Sequence, residues 1–274
     1  IVGAVGDLQD TNFLKLTGTN RYIVKEAEEY GLVETLIDTR LFGRETRPVF
    51  KMLEYASDPI IPGITGDEIA SIKFLESLGI PLKENEKWRR WVDLNKEEKR
   101  KILSEIVKIL LRLGYGSVLA SRIIGEVYIL KKESDPYLRD AKEFATLLNS
   151  CGRYGEAEIG LKIAMGDRDE NLKKAMNLLT RHRKTIISGI DYIRDIGIVK
   201  RENYQYFHAG SHIPDTVLGT IASIFLSSQM ADPNLPIFGF AENENGMIKV
   251  SGRAPRDLVE RGLDLSKIIS NAEC

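Results

Sequence analysis

Apolar and polar positions alternate in two distinct regimes along the chain. The opening run Ile1-Val2-Gly3-Ala4-Val5 is continuously apolar, the pattern of a strand buried on both faces of a parallel sheet. Gly6-Asp7 follows at once, which would put Asp7 at that strand's carboxyl end, where open α/β sheets bind ligands. Residues 21–37 read as a helix broken by Gly31. From 58 to 140 the texture changes to helices punctuated by Gly and Pro. Thr65-Gly66-Asp67-Glu68 is a capping box for a helix closed by Gly79 and Pro81. Asn95-Lys96-Glu97-Glu98 opens another, with Ile102, Ile106, Ile109 and Leu113 at helical spacing and a stop at Gly114. Leu119 to Lys131 predicts a further helix.

Residues 156–195 form the longest helical reach, interrupted near Gly166-Asp167. Ala175, Leu178, Leu179, Ile186, Ile190 and Ile193 make its apolar stripe; Lys173, Lys174, Arg181, Arg183, Lys184 and Arg194 supply charge. Beyond Gly197 the pattern is mixed. Tyr204–Ala209 suits a strand, Asp215 can cap a helix over 216–228, and Asn243-Glu244-Asn245-Gly246 joins strands Pro236–Ala241 and Met247–Ser251 as a hairpin. Residues 256–273 return to helix. These elements predict an α/β protein: the end of a parallel-sheet domain (1–57), an all-helical insertion (58–140), a turn motif with a long connector helix (141–196) and a mixed-sheet C-terminal domain (197–274).

Composition narrows the class. The chain has 274 residues, of which 43% are hydrophobic and 29% charged, which excludes a disordered chain. No run approaches the ~18–20 apolar residues a bilayer crossing needs. Two cysteines, Cys151 and Cys274, make neither a disulfide framework nor a CxxC pair, so a cytoplasmic location is expected. The formal net charge of −1 conceals an acidic stretch over 1–79 and a basic one over 168–201, and local charge is what governs phosphate binding. The chain begins without Met and stops within a predicted helix, the pattern of a piece of a longer protein.

Four places carry candidate chemistry. Asp7, preceded by small residues, can approach a hard divalent cation, or simply cap the next turn. Leu148-Asn149-Ser150-Cys151-Gly152-Arg153-Tyr154-Gly155-Glu156-Ala157 offers an amide, backbone N–H groups and a guanidinium to phosphate, or is an ordinary turn between helices. Ser251 and Arg253, two apart on a strand, share a face and can contact one phosphate, or form a polar strand edge. His212 precedes a helix and can donate to phosphate, whereas His182 and His208 have no partner at metal-ligand spacing.

Taken in order, these pieces resemble the later part of a RecJ-type nuclease of the DHH phosphoesterase superfamily, and specifically its archaeal GINS-associated form. Ile1–Asp7 resembles the strand bearing the superfamily's fourth metal-binding motif. LNSCGRYGEA (148–157) resembles the RecJ stretch LNAAGRLGxA, keeping Asn149, Gly152 and Arg153. HIPDTVLGTIAS (212–223) resembles HPGVIGIVAS, and Ser251-Gly252-Arg253 matches the SxR motif of the DHH-associated C-terminal domain. The DHH triplet and the GGGH motif are absent from the chain.

The resemblance implies Mn²⁺- or Mg²⁺-dependent 5′-to-3′ exonuclease action on single-stranded DNA, or on RNA, in replication and repair. Asp7 would be a metal ligand, and Asn149, Gly152, Arg153, His212, Ser251 and Arg253 would bind substrate. The helical insertion would contact the GINS complex of the archaeal replisome, and the chain alone would be inactive. Other implied readings are a non-catalytic replication scaffold, like the helicase-activating Cdc-type relative, and a phosphodiesterase for short oligonucleotides or cyclic dinucleotides.

Overall fold

A computed structural model describes residues 1–56, 59–112, 120, 122–227, 230–243 and 245–271. The chain divides into two compact units, Ile1–Asn149 and Ser150–Cys274. Both mix helix and sheet, as the α/β expectation required.

The first unit departs from expectation at its start. Ile1–Val5 contributes no strand of a parallel sheet: residues Val2–Gly6 form a short helix (α1), with the Val5 and Asp7 N–H groups donating to the Ile1 and Gly3 carbonyls. A strand's backbone groups need a neighbouring strand, whereas a helix satisfies them within the segment. Val5 still finds an apolar seat, among Leu16, Val24, Val33, Tyr128 and Ala141. The second departure lies at 21–37. Helix α2 (Thr19–Glu29) stops before Gly31, which adopts φ 64°, and strand β1 (Val33–Thr39) follows. Its β-branched Val33, Thr35, Ile37 and Thr39 at every second position are the strand signal within that stretch.

Strand β1 pairs antiparallel with β2 (Ile124–Leu130), from Val33↔Leu130 to Thr39↔Ile124. The helix expected over 119–131 is therefore this strand; Leu119 itself lies outside the described residues. Everything between Thr39 and Ile124 is an excursion that leaves and re-enters at paired positions of two neighbouring strands. It contains α3 (Val49–Glu54), α4 (Glu68–Ser77), a short hairpin of β3 (Lys83–Glu84) with β4 (Lys87–Trp88), and α5 (Lys96–Arg112). The hairpin and β2 make the 58–140 region helix-dominated rather than all-helical. Its caps form as read, with one shift: Asp67, not Thr65, accepts from the Ala70 N–H at the start of α4. At α5, Asn95 and Glu98 exchange side-chain-to-backbone bonds at 2.9 Å each. Ile102, Ile106 and Leu110 are fully buried against Phe50, Leu53, Leu75 and Trp91, each worth about 1.5–3 kcal/mol relative to exposure. Leu113 and Gly114 fall outside the described residues.

The excursion is tied to the β1–β2 pair by buried charge. Arg44 bridges Asp38 and Asp140 at 2.8 Å each, and the Trp91 indole and the Lys99 ammonium also donate to Asp38. Burial works to raise the Asp38 pKa, but Arg44, the Thr39 N–H, Lys99 and Trp91 together hold it below the usual carboxylate range. The helix α6 (Pro136–Arg139) then leads into α7 (Ala141–Arg153).

In the second unit, α8 (Ala157–Ala164) and α9 (Glu170–Ile196) are separated at Gly166-Asp167 as the sequence predicts. A four-stranded sheet of β5 (Val199–Lys200), β6 (Gln205–Gly210), β7 (Ile237–Glu242) and β8 (Ile248–Arg253) lies in chain order, parallel only between β6 and β7. This is the expected mixed sheet. Helix α10 (Asp215–Ser227) covers one face, packing Val217, Leu218, Ile221 and Phe225 against Phe207, Ile237 and, from α9, Ile193. The hairpin turn is closed by Asn243, whose side-chain oxygen accepts from Asn245 and Met247 N–H, with Gly246 at φ 74°. The expected helix over 256–273 is two short ones, α11 (Arg256–Glu260) and α12 (Leu265–Asn271), because Gly262 takes φ 101° between them. No helix among the described residues is long and apolar enough to cross a membrane.

Glu143 on α7 makes the first unit sensitive to pH. It is 2% exposed and accepts from the Glu45 N–H and the Thr46 hydroxyl. Burial, with Asp140 adding to it, raises its pKa from 4.5 to about 7. The folded chain therefore binds more protons than the unfolded one between those values, and stability falls as pH rises through that window. Glu143→Gln removes the titration. Its stability relative to the parent should climb as the pH passes from about 5 to about 8, by up to about 3 kcal/mol. Urea denaturation at several pH values checks this; a difference independent of pH would refute it.

Candidate functional site

The residues singled out in the sequence fall into two groups, one in each unit. In the first unit, Asp7 follows α1 and is exposed; one carboxylate oxygen accepts from the Gln9 amide at 2.8 Å, and Gln9 in turn accepts from Asn20 at 2.6 Å. Gly6 fixes where Asp7 sits. A Cβ there would lie 3.1 Å from the Ala145 Cβ and 3.7 Å from the Asn149 amide nitrogen, so the missing side chain lets α1 end against α7, beside Asn149.

Only 154–156 of the 148–157 motif is a turn ahead of a helix; the LNSCGR stretch before it is helical. It is the last part of α7, which ends at Arg153. Leu147, Ser150 and Cys151 are fully buried, so continuing the helix satisfies both the apolar positions and the backbone. The motif therefore holds a turn between two helices, with α8 beginning at its last residue, Ala157. Arg153 is exposed and donates to the Thr216 carbonyl at 3.0 Å, while a Cβ at Gly152 would meet nothing within 4 Å.

The second unit assembles a more complete constellation. The β7–β8 register sets Ser251 opposite Gly239 and Arg253 opposite Ile237, with Lys249 opposite Ala241. These are positions whose side is buried under α10, so Lys249, Ser251 and Arg253 share the helix-facing side. Arg253 donates through Nε to the Ser223 hydroxyl at 2.9 Å and through Nη1 to Ser251 Oγ at 3.4 Å and to its neighbour's carbonyl, Gly252 O, at 2.7 Å. Ser223 Oγ itself donates to Gly219 O at 2.9 Å. Gly219 is what allows the approach: a Cβ there would stand 2.4 Å from Arg253 Nη2 and 2.7 Å from Ser251 Oγ. His212 lies in the segment leading into α10, exposed, its ring stacked on Tyr192 with centroids 4.5 Å apart.

Chemically, a guanidinium beside two hydroxyls is a set of groups that could meet an anion. The guanidinium is held through Nε by a fixed hydroxyl and through Nη1 by Ser251 Oγ and Gly252 O, contacts that a phosphate oxygen would have to share or replace. Gly219 and Ser223 went unread as site residues, although both lie inside the 212–223 stretch. Their i, i+4 spacing, a glycine below a hydroxyl on one helix face, was the available signal. His182, which the sequence left as structural, is buried in α9 with Nδ1 unbonded; burial first, then the charges of Arg153 and Arg183, lower its pKa.

Metal binding is less well provided. Asp7 can offer one oxygen, but no group of three or more His, Cys, Asp or Glu side chains among the described residues could hold an ion. Mn²⁺ and Mg²⁺ need about six ligands, so the described residues do not fit a whole site.

Comparison with known proteins sets this geometry in a family context. Residues 41–124 match the DHH-CID domain. That span coincides with the excursion between the paired positions Thr39 and Ile124. Over 273 residues the chain is 29% identical to an uncharacterized protein of Methanocaldococcus jannaschii, covering 100% of this chain and 54% of that one. Its fold is similar to the crystal structure of CDC45 from Entamoeba histolytica, with a TM-score of 0.60 at 12% identity, over 99% of this chain and 61% of that one. The chain thus spans a little over half the length of either. The domain and the fold both support the DHH-superfamily resemblance.

The anion site gives a direct test of Gly219. Gly219→Val should push Arg253 and Ser251 away from α10, at a stability cost of about 1–3 kcal/mol from overpacking. A dinucleotide should raise the melting temperature of the parent chain but not of the variant. Equal protection of both by the dinucleotide would show that Gly219 does not shape the site.

Proposed function

We propose that the chain is part of a DHH-superfamily phosphodiesterase, the second unit gripping the phosphodiester of single-stranded DNA. The observation that supports this most directly is the Arg253 guanidinium, fixed by Ser223 beside Ser251 Oγ over the bare Cα of Gly219. Such an arrangement has its donors aligned before substrate arrives, so little reorganisation is needed on binding. Arg153 and His212 would add further donors to the same unit's surface. Asp7 would supply one ligand to Mn²⁺ or Mg²⁺, whose chemistry when bound would be to activate water and offset charge on the phosphate. The finer reading is a 5′-to-3′ exonuclease of the replisome whose DHH-CID domain meets the GINS complex.

A second reading has its own support. Likeness to CDC45 over nearly the whole chain favours a scaffold in which the residues matching the DHH-CID domain bind a partner and no bond is cleaved.

Arg253→Gln and Ser251→Ala in the intact protein test the first reading. A charge-assisted bond contributes about 1.5–3 kcal/mol, so Arg253→Gln should weaken dinucleotide and oligonucleotide binding roughly 10- to 150-fold, with a smaller loss for Ser251→Ala. Unchanged binding in both would overturn the assignment. The two readings part on Asp7→Ala: loss of metal-dependent cleavage by the intact protein supports the nuclease, and an intact parent that cleaves no single strand under any divalent metal supports the scaffold.

A further inference from the structure

The anion site accounts for one phosphate, yet the second unit carries a longer basic groove that it does not use. Asn177, Arg181, Lys184 and Ser188 recur along α9 at i, i+4, i+7 and i+11, all exposed, and with Thr185 and His212 they line an open groove. This spacing keeps them on one helix face over about 16 Å. The opposite face is the buried one, holding Leu172, Ala175, Leu179 and Ile193.

Three features give the groove a ligand class. No carboxylate lines it. Of the acids of α9, Glu170 pairs with Lys174 at 3.8 Å and Asp191 with Arg194 at 3.7 Å, while the exposed Asp195 lies outside the groove's lining. Its cations are also partly pre-positioned: Arg181 lies 5.0 Å above the Tyr154 ring, whose hydroxyl donates to Thr185 Oγ1 at 3.3 Å, and Thr185 donates to the Arg181 carbonyl at 3.0 Å. At one end sits His212, backed by Tyr192, an aromatic surface of the kind on which bases stack. Cations spaced along a line, interleaved with hydroxyls and an amide and ending at an aromatic pair, suit a sugar–phosphate backbone with its bases. A compact anion would engage only one such position.

We propose that this face of α9 is a tracking surface for single-stranded nucleic acid, taking the nucleotides that flank the phosphodiester held at Ser251 and Arg253. The groove makes affinity depend on strand length, since a dinucleotide cannot reach along it. This inference rests on the phosphodiester reading above and adds to it a second, separable set of contacts.

Fluorescence anisotropy with a labelled dinucleotide and a labelled 12-mer of thymidine, on the parent chain and on Lys184→Glu/Ser188→Asp, tests it. The parent should bind the 12-mer at least ten-fold more tightly than the dinucleotide. The double variant should lose most of that advantage while its dinucleotide affinity changes less than two-fold. Lys184→Gln alone should lower the slope of log K against log salt for the 12-mer by about 0.7, the value for one phosphate contact on a single strand. Melting curves of the variants should match the parent, because neither side chain is buried. A 12-mer advantage that survives the double variant, while Arg253→Gln still weakens the dinucleotide, would overturn the tracking surface alone. Indifference of both ligands to Arg253→Gln would instead overturn the phosphodiester reading. If polyglutamate displaces the 12-mer as well as an unlabelled oligonucleotide of equal charge does, the groove is a general cation face and the nucleic-acid assignment fails.

Discussion

The first unit depends on one buried ion: Arg44, whose side chain is 3% exposed, bonded at once to Asp38 on β1 and Asp140 at the head of α7. A guanidinium taken out of water carries a desolvation cost of several kcal/mol, which only close, well-directed partners repay. Two carboxylates at 2.8 Å supply them, and despite its burial they raise the Arg44 pKa. The geometry fixes more than a single pair. Asp38 also takes the indole N–H of Trp91 and the ammonium of Lys99, both from the excursion between β1 and β2. One carboxylate therefore joins β1, the loop after it and two points of the inserted domain. An insertion that leaves and returns through adjacent strands closes its loop at low entropic cost, but nothing in that closure fixes its orientation. The Asp38 cluster does, and its directional bonds give what an apolar contact alone would not.

The second unit solves a different problem, placing a cation beside a helix without burying it. An arginine on a strand facing a helix would normally be displaced by the helix's side chains. Gly219 removes that obstacle, and Ser223 one turn later converts the space into a fixed hydrogen bond. A glycine inside a helix costs roughly 0.5–1 kcal/mol relative to alanine, a loss with no structural compensation in the core of this unit. The compensation lies in the site: a guanidinium that keeps its position while remaining exposed.

How much of this was legible follows from the range of each interaction. Helix caps at Asn95 and the Asn243–Gly246 turn depend on residues within four positions, and both formed as read. The apolar periodicity of α5 and α9 survived because each helix buries a single stripe. Ile1–Val5 failed for want of a partner: a five-residue apolar run has no period of its own, and whether it becomes strand or helix depends on a neighbouring strand. The 119–131 segment failed similarly, since β2 is a strand only because β1, more than eighty residues earlier, presents a matching edge. At the site, Ser251 and Arg253 could be paired from strand alternation. In the 148–157 motif the turn falls later than its Asn, Gly and Arg suggest, at 154–156, because the burial of Leu147 and Cys151 that carries α7 through Arg153 is tertiary. Ser223 and Gly219 matter only once β8 lies across α10.

The charge distribution completes the argument. Acidic side chains of the first unit are mostly consumed internally: Asp10 by Arg40, Asp38 and Asp140 by Arg44, Glu98 by Arg89, Glu126 by Arg21. Asp7 stands apart from these pairs, exposed and held only by a neutral amide. In the second unit Lys162, Lys174, Arg194, Lys200, Lys249 and Lys267 are paired with carboxylates, but Arg153, Lys184 and Arg253 are exposed and take part in no carboxylate pair among the described residues. Exposed cations without partners repel one another and add nothing to folding, whereas each gains when a phosphate arrives and counterions leave. Under the proposal that the second unit grips a phosphodiester, these three exposed cations are the ones a polyanion would engage.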